Sequence, residues 1–118
     1  MNNFSEMPVW QKAMDAAVFI FHATEKLPRK EDYGFTSQIR RSALSISANI
    51  AEGFGRQHSA EKAHFYFFAR GSLEETRSHL EYGRRVGYID ETESNTLKSN
   101  LQTVLFELNS LIARFKGK

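Results

Sequence analysis

Where a chain's apolar residues fall decides what it can bury, and between Thr36 and Arg56 they fall on one side of a helix. Ile39, Ala43, Ile46 and Ile50 recur at spacings of four, three and four, which is a single face at 3.6 residues per turn. A half-buried strand would need alternation at every second residue, and TSQIRRSALSISANIAEGFGR does not alternate. The same helical period runs through every other long segment. Glycine and proline are scarce, 7 and 2 in 118 residues, so a many-turned all-β architecture is disfavoured. The predicted fold class is all-α.

Four helices can be placed. The first runs from about Pro8 to Leu27, with Trp10, Met14, Ala17, Val18 and Phe21 as its apolar stripe. Pro8 suits a first-turn position, where its missing N–H is not needed, and Pro28 ends the segment because the residue before a proline disfavours the α region. A charged connector, Arg29–Tyr33, leads to a second helix from Gly34 to Phe54, with Gly55 as its C′ residue. After a polar turn, Ser59 is the expected N-cap of a third helix over Ala60–Val86, which Gly87 terminates. Asp90 and Glu93 have the spacing of a capping box for the fourth helix. Along it Leu101, Val104, Leu108, Leu111 and Phe115 form a heptad-like seam. Short links favour antiparallel neighbours, so the expected architecture is an up-down antiparallel four-helix bundle, one domain over residues 1–118.

Composition narrows the functional classes. Hydrophobic residues are 41% and charged residues 25%, an ordinary globular balance. With no cysteine, disulfides and thiolate zinc sites are excluded, which suits a cytoplasmic location. The start, MNNFSEMPVWQKAMD, lacks a basic n-region followed by an apolar core and does not read as a signal peptide. No apolar run approaches the ~20 residues of a membrane span. A net charge of +2 and a pI near 9.0 are compatible with nucleic acid without requiring it.

The third helix carries two apolar rows. One holds Phe65, Ala69, Ser72, Thr76 and Gly83; its neighbour holds Tyr66, Leu73 and Leu80. Two rows imply more than one partner surface, and Tyr66, Leu73 and Leu80 are the expected oligomer interface, with a tightly packed bundle core as the alternative. Arg70, Glu74, Arg77, Glu81 and Arg84 alternate in sign at helical spacing, which fits a ladder of surface ion pairs. Arg40, Arg41 and Arg56 make the more phosphate-directed group, because a guanidinium presents a planar fork to phosphate oxygens. From Thr36 to Gly87 eight basic residues face five acidic ones, an excess that oligomerisation would multiply. The expected nucleic-acid-binding residues are therefore Arg40, Arg41 and Arg56, followed by Arg70, Arg77 and Arg84. His22, His58, His64 and His79 have no metal-ligand spacing. Ser72 and His79 lie two turns apart, too far for a nucleophile–base pair. Gly53-Phe54-Gly55 follows a helix and lacks a third glycine, so it is no dinucleotide loop. No catalytic residue, cofactor or metal is expected.

Several segments together resemble one family. They are Val9–Ala13, Tyr33–Arg41, Ser45–Ile46, Asn49–Arg56, Ala69–Glu75 and Gly87–Ile89. The chain resembles the small four-helix proteins named after open reading frames in the intervening sequences of 23S ribosomal RNA genes. One departure is Ser47, where that family commonly carries proline, so a helix kink there would be weaker or absent. The resemblance implies a homopentameric ring. It also implies a fold shared with the accessory variability determinant of diversity-generating retroelements, a basic nucleic-acid-binding partner of a reverse transcriptase. It brings no catalytic residues. The resulting expectation is a non-enzymatic homo-oligomer that binds RNA or DNA through a basic face. The alternative is a protein–protein interaction or scaffold module without direct nucleic-acid binding.

Overall fold

The computed structural model describes residues 2–117. They form a four-helix bundle of α1 (Pro8–Thr24), α2 (Phe35–Gly55), α3 (Ser59–Arg85) and α4 (Glu91–Lys116). Single 3₁₀ turns lie at Phe4–Glu6 and Arg29–Glu31, and there is no strand among the described residues. The long dimension is 46 Å, close to the ~40 Å that the 27 residues of α3 span at 1.5 Å each. α1 packs on α2 and α4, and α3 packs on the same two helices. Paired residues run in opposing order. Arg41, Ser45 and Phe54 of α2 meet Glu75, Ser72 and Lys62 of α3. Arg70, Arg77 and Arg84 of α3 meet Asn109, Gln102 and Glu91 of α4.

The core is aliphatic. Ile39, Ala43, Ile46 and Ile50 are all buried, so the α2 face read from the sequence is the core face. On α4, Leu101, Val104 and Leu108 are buried, Leu111 and Phe115 pack at the margin, and Ile112 and Leu97 complete the seam. Each such Leu or Ile contributes about 1.5–3 kcal/mol by leaving water.

α1 is turned from its expected orientation. Val9, Ala13, Ala16, Ile20 and Ala23 face the core, while Val18 and Phe21 are exposed and Trp10, Met14 and Ala17 lie at the flank. Both stripes have helical spacing, about 100° apart. The narrower one wins because alanines let the α1 backbone lie close to α2 and α4, whereas a row of Trp, Met and Phe would hold it off.

The expected interface row on α3 is also corrected. Tyr66, Leu73 and Leu80 are at most 2% exposed within a single protomer and belong to its core. The true seam takes members of both rows: Ala63, Tyr66, Ala69, Leu73, Thr76, Leu80 and Gly83. Two rows do imply two partner surfaces, but those partners are α2 and α4 of the same chain. The small residues matter locally. A Cβ on Gly53 would lie 2.7 Å from the Tyr66 ring, and one on Gly83 would lie 2.6 Å from Phe35 Cζ.

Helix ends differ in detail. Gly55 is the last residue of α2, and the chain leaves through Arg56 in an extended conformation. Ser59 is the first residue of α3, with His58 at the cap and no capping side chain. Gly87 does turn left-handed, at φ 85°. The Asp90–Glu93 capping box forms in full, with Glu93 N–H donating to Asp90 Oδ1 at 2.7 Å and Asp90 N–H to Glu93 Oε1 at 3.0 Å.

Candidate functional site

The arginines expected to bind phosphate sit in three separate places. Arg40, on the α1 side of α2, closes the C-terminal end of α1. Its Nε donates to Thr24 Oγ1 at 2.8 Å, one of its terminal nitrogens donates to the Phe21 carbonyl at 3.2 Å, and the guanidinium lies 4.5 Å from the Phe21 ring centroid. Carbonyls of a helix's last turn have no intrahelical donor, and a cation there also meets the negative end of the helix dipole. Lys62 does the same for α2, donating to the carbonyls of Phe54 at 2.8 Å and Gly53 at 3.3 Å. Counting Lys62 only as charge overlooks this role, although a lysine within one turn of the start of the following helix is a recognisable signal.

Arg41 points the other way, toward α3. It donates to Glu75 at 2.7 Å and to Gln38 at 3.0 Å. The same Glu75 oxygen lies 3.3 Å from His79 Nε2. Arg56 stands roughly 22 Å further along the axis than Arg41, about fifteen residues on at 1.5 Å each. There it pairs with Glu52 at 3.2 Å and Glu61 at 3.8 Å and stacks 4.6 Å from the Phe65 ring centroid. Arg40, Arg41 and Arg56 are therefore not one cluster.

Arg70, Arg77 and Arg84, spaced by seven residues, line the edge where α3 meets α4, about 10 Å apart in succession. Arg77 bonds Glu74 at 3.0 Å and Gln102 at 2.8 Å, and Arg84 bonds Glu81 at 2.9 Å. Arg70 bonds the neutral Asn109 at 2.9 Å and lies 5.0 Å from the Phe67 ring centroid. Hydrogen bonds from Arg84 and then Arg85 push the Glu81 carboxyl down to about 2. Of the six predicted phosphate ligands, only Arg40 and Arg70 have no carboxylate within 4 Å among the described residues.

Between α2 and α3 the polar side chains satisfy one another. Ser72 Oγ donates to Ser45 Oγ at 3.0 Å and Thr76 Oγ1 to Ser42 Oγ at 2.9 Å. Among the described residues, no three His, Asp or Glu side chains are grouped to hold a metal ion, and no helix is long and apolar enough to cross a membrane.

The outer surface is unexpectedly apolar in two places. Met14, Ala17, Val18, Phe21, Arg40 and Leu44 line a shallow groove of about 210 Å³ between α1 and α2. In it Val18 is 48% and Leu44 55% exposed. On the outside of α3, Phe67 and Phe68 face water beside His64, whose ring stacks edge-on against Phe68 with centroids 4.4 Å apart. Met14, Ala17, Val18 and Phe21 of the apolar stripe read from the sequence line this groove, so its signal is that stripe itself.

The comparisons with known proteins agree with this fold. Residues 5–110 match the family model described as 23S rRNA-intervening sequence protein. The crystal structure of a protein of unknown function from the S23 ribosomal protein family of Bacteroides thetaiotaomicron VPI-5482 superposes with a TM-score of 0.79 at 26% identity. The alignment covers 88% of this chain and 97% of that one. No curated protein matches in sequence. A match over that span, together with the shared helical architecture, places the chain in the 23S rRNA-intervening sequence protein family.

Proposed function

We propose that this chain is a non-enzymatic, cytoplasmic scaffold that assembles with copies of itself, an up-down antiparallel bundle repeated in a ring of five, and presents that assembly to protein partners. The observation that carries this reading is the pair of apolar outer faces. Val18, Phe21 and Leu44 on one side, and Phe67 and Phe68 on the other, remain exposed after the bundle has closed its own core. Contiguous apolar surface of this kind marks association sites. Small-angle X-ray scattering tests it. An assembled species has a radius of gyration well above the 14.6 Å of the protomer's Cα trace, and a value near 14.6 Å contradicts assembly.

Direct contact with RNA or DNA is the second reading, favoured by the straight line of Arg70, Arg77 and Arg84 and by the absence of a carboxylate beside Arg70. Its weakness is that most of the predicted arginines are already bonded to glutamates. Anisotropy of a labelled mixed-sequence RNA across a salt series separates the readings. Affinity that falls steeply with salt is the mark of phosphate contacts. Absence of binding at low ionic strength leaves the scaffold reading.

A further inference from the structure

We propose that the outer face of α3 on one copy of this chain seats in the α1/α2 groove of a second copy, with Gly71 at the point of closest approach. The inference rests on the self-assembly reading and adds which surfaces meet. Gly71 lies in the middle of a 27-residue helix, points outward, and has nothing within 4 Å of where a Cβ would stand. Within the protomer it therefore serves no packing purpose, and it costs helix stability relative to alanine. A glycine in that position is accounted for if another backbone comes close from outside. The residues around it fit that role, because Phe67 and Phe68 precede it by one turn and are exposed, Phe68 by 50%.

The two faces complement each other in shape and charge. The groove is concave and apolar, and its one charged lining residue is Arg40, which has no carboxylate within 4 Å among the described residues. The α3 face is convex and aromatic. Between His64 and Tyr82, the charged residues within about 60° of Gly71 at 100° per residue are Glu74 and Glu75, flanked by Arg77 on Glu74, Arg41 on Glu75 and Arg70 over Phe67. Each of these glutamates uses one carboxylate oxygen on its own protomer, leaving the other for a neighbour. Because the two faces differ, the contact is head-to-tail, and repetition closes a ring or grows a filament.

The test uses two variants and their mixture, read by sedimentation mass and thermal melting. Gly71→Leu should remain folded and melt cooperatively, since the site is open, yet fall to the mass of one copy and lose only the part of its melting temperature that assembly supplies. Leu44→Glu should do the same from the groove side, and Val18→Lys is the substitute if Leu44→Glu does not fold. Mixed, the two defective chains should give a species of two copies and no larger, because each supplies one intact face. Gly71→Leu retaining the wild-type oligomer mass overturns the inference and leaves the assembly reading standing. Folded monomers that do not pair on mixing overturn it too. A monomeric wild type removes both.

Discussion

At the scale of single residues, steric room and hydrogen bonds set the outcome of substitution. Gly53 and Gly55 are both helical, but only Gly53 is roofed by a ring: its Cβ would sit 2.7 Å from Tyr66 Cε1, whereas nothing lies within 4 Å of Gly55. Gly55→Ala should stabilise the fold by up to about 1 kcal/mol through helix propensity. Gly53→Ala should instead destabilise it by about 1–3 kcal/mol, because the buried Tyr66 ring has no space to yield. Urea midpoints of the two variants moving in the same direction would contradict this. Glu81 gives a pH signature. Its folded value is about 2 instead of 4.5, owing to Arg84 and then Arg85. A depressed folded value favours the folded state above the unfolded value, and the benefit is lost as pH falls through the folded one. The contribution is complete above pH 4.5 and gone below about 2. Glu81→Gln should flatten stability against pH across that window, by a small amount that salt reduces, since the pair is solvated. A slope unchanged from wild type would remove Glu81 from the account. Glu31 is lowered in the same sense, first by the Tyr88 hydroxyl and then by the Phe35 N–H.

At the scale of elements, the helix ends divide into those closed locally and those closed at a distance. Asp90 and Glu93 close α4 within four residues, which is why the box was legible in the sequence. Asp90→Ala should cost about 1 kcal/mol. The C-termini of α1 and α2 are closed by Arg40 and Lys62, each from another helix. No local pattern announces the Arg40 contact, whereas Lys62 stands in the first turn of the helix that follows the end it closes. Arg40→Met should keep most of the stem's packing over Phe21 while removing both donors. Faster amide exchange confined to the last turn of α1 is the expected result. Protection unchanged there would mean that the cap contributes nothing. The faces show the same division. The Ile stripe of α2 was legible because only one face of that helix is apolar. α1 is apolar on two adjacent faces, and which one turns inward depends on how closely its neighbours approach, a property of the whole bundle. On α3, the two rows were correctly seen as two contacts, but a helix with two neighbours in its own chain needs no other subunit to explain them.

At the scale of the whole molecule, the fold was legible from period and spacing, while the placement of charge was not. Arg40 and Arg41 are adjacent in sequence yet serve opposite sides of α2, one on the α1 terminus and the other on Glu75 of α3. Converting both to glutamate removes a helix cap and creates repulsion with Glu75. The double variant should therefore lose stability measurably, whatever nucleic acid is present. Denaturant midpoints equal to wild type would show that these arginines are held less firmly than the geometry implies. The apolar outer faces make the central claim, that the bundle is a building block for an assembly of its own copies. Light scattering on the wild-type chain as it elutes from a sizing column, at micromolar concentration, measures this directly. The account predicts a mass several times the 13.6 kDa of one chain, with five copies the expected number. A mass of 13.6 kDa would contradict it.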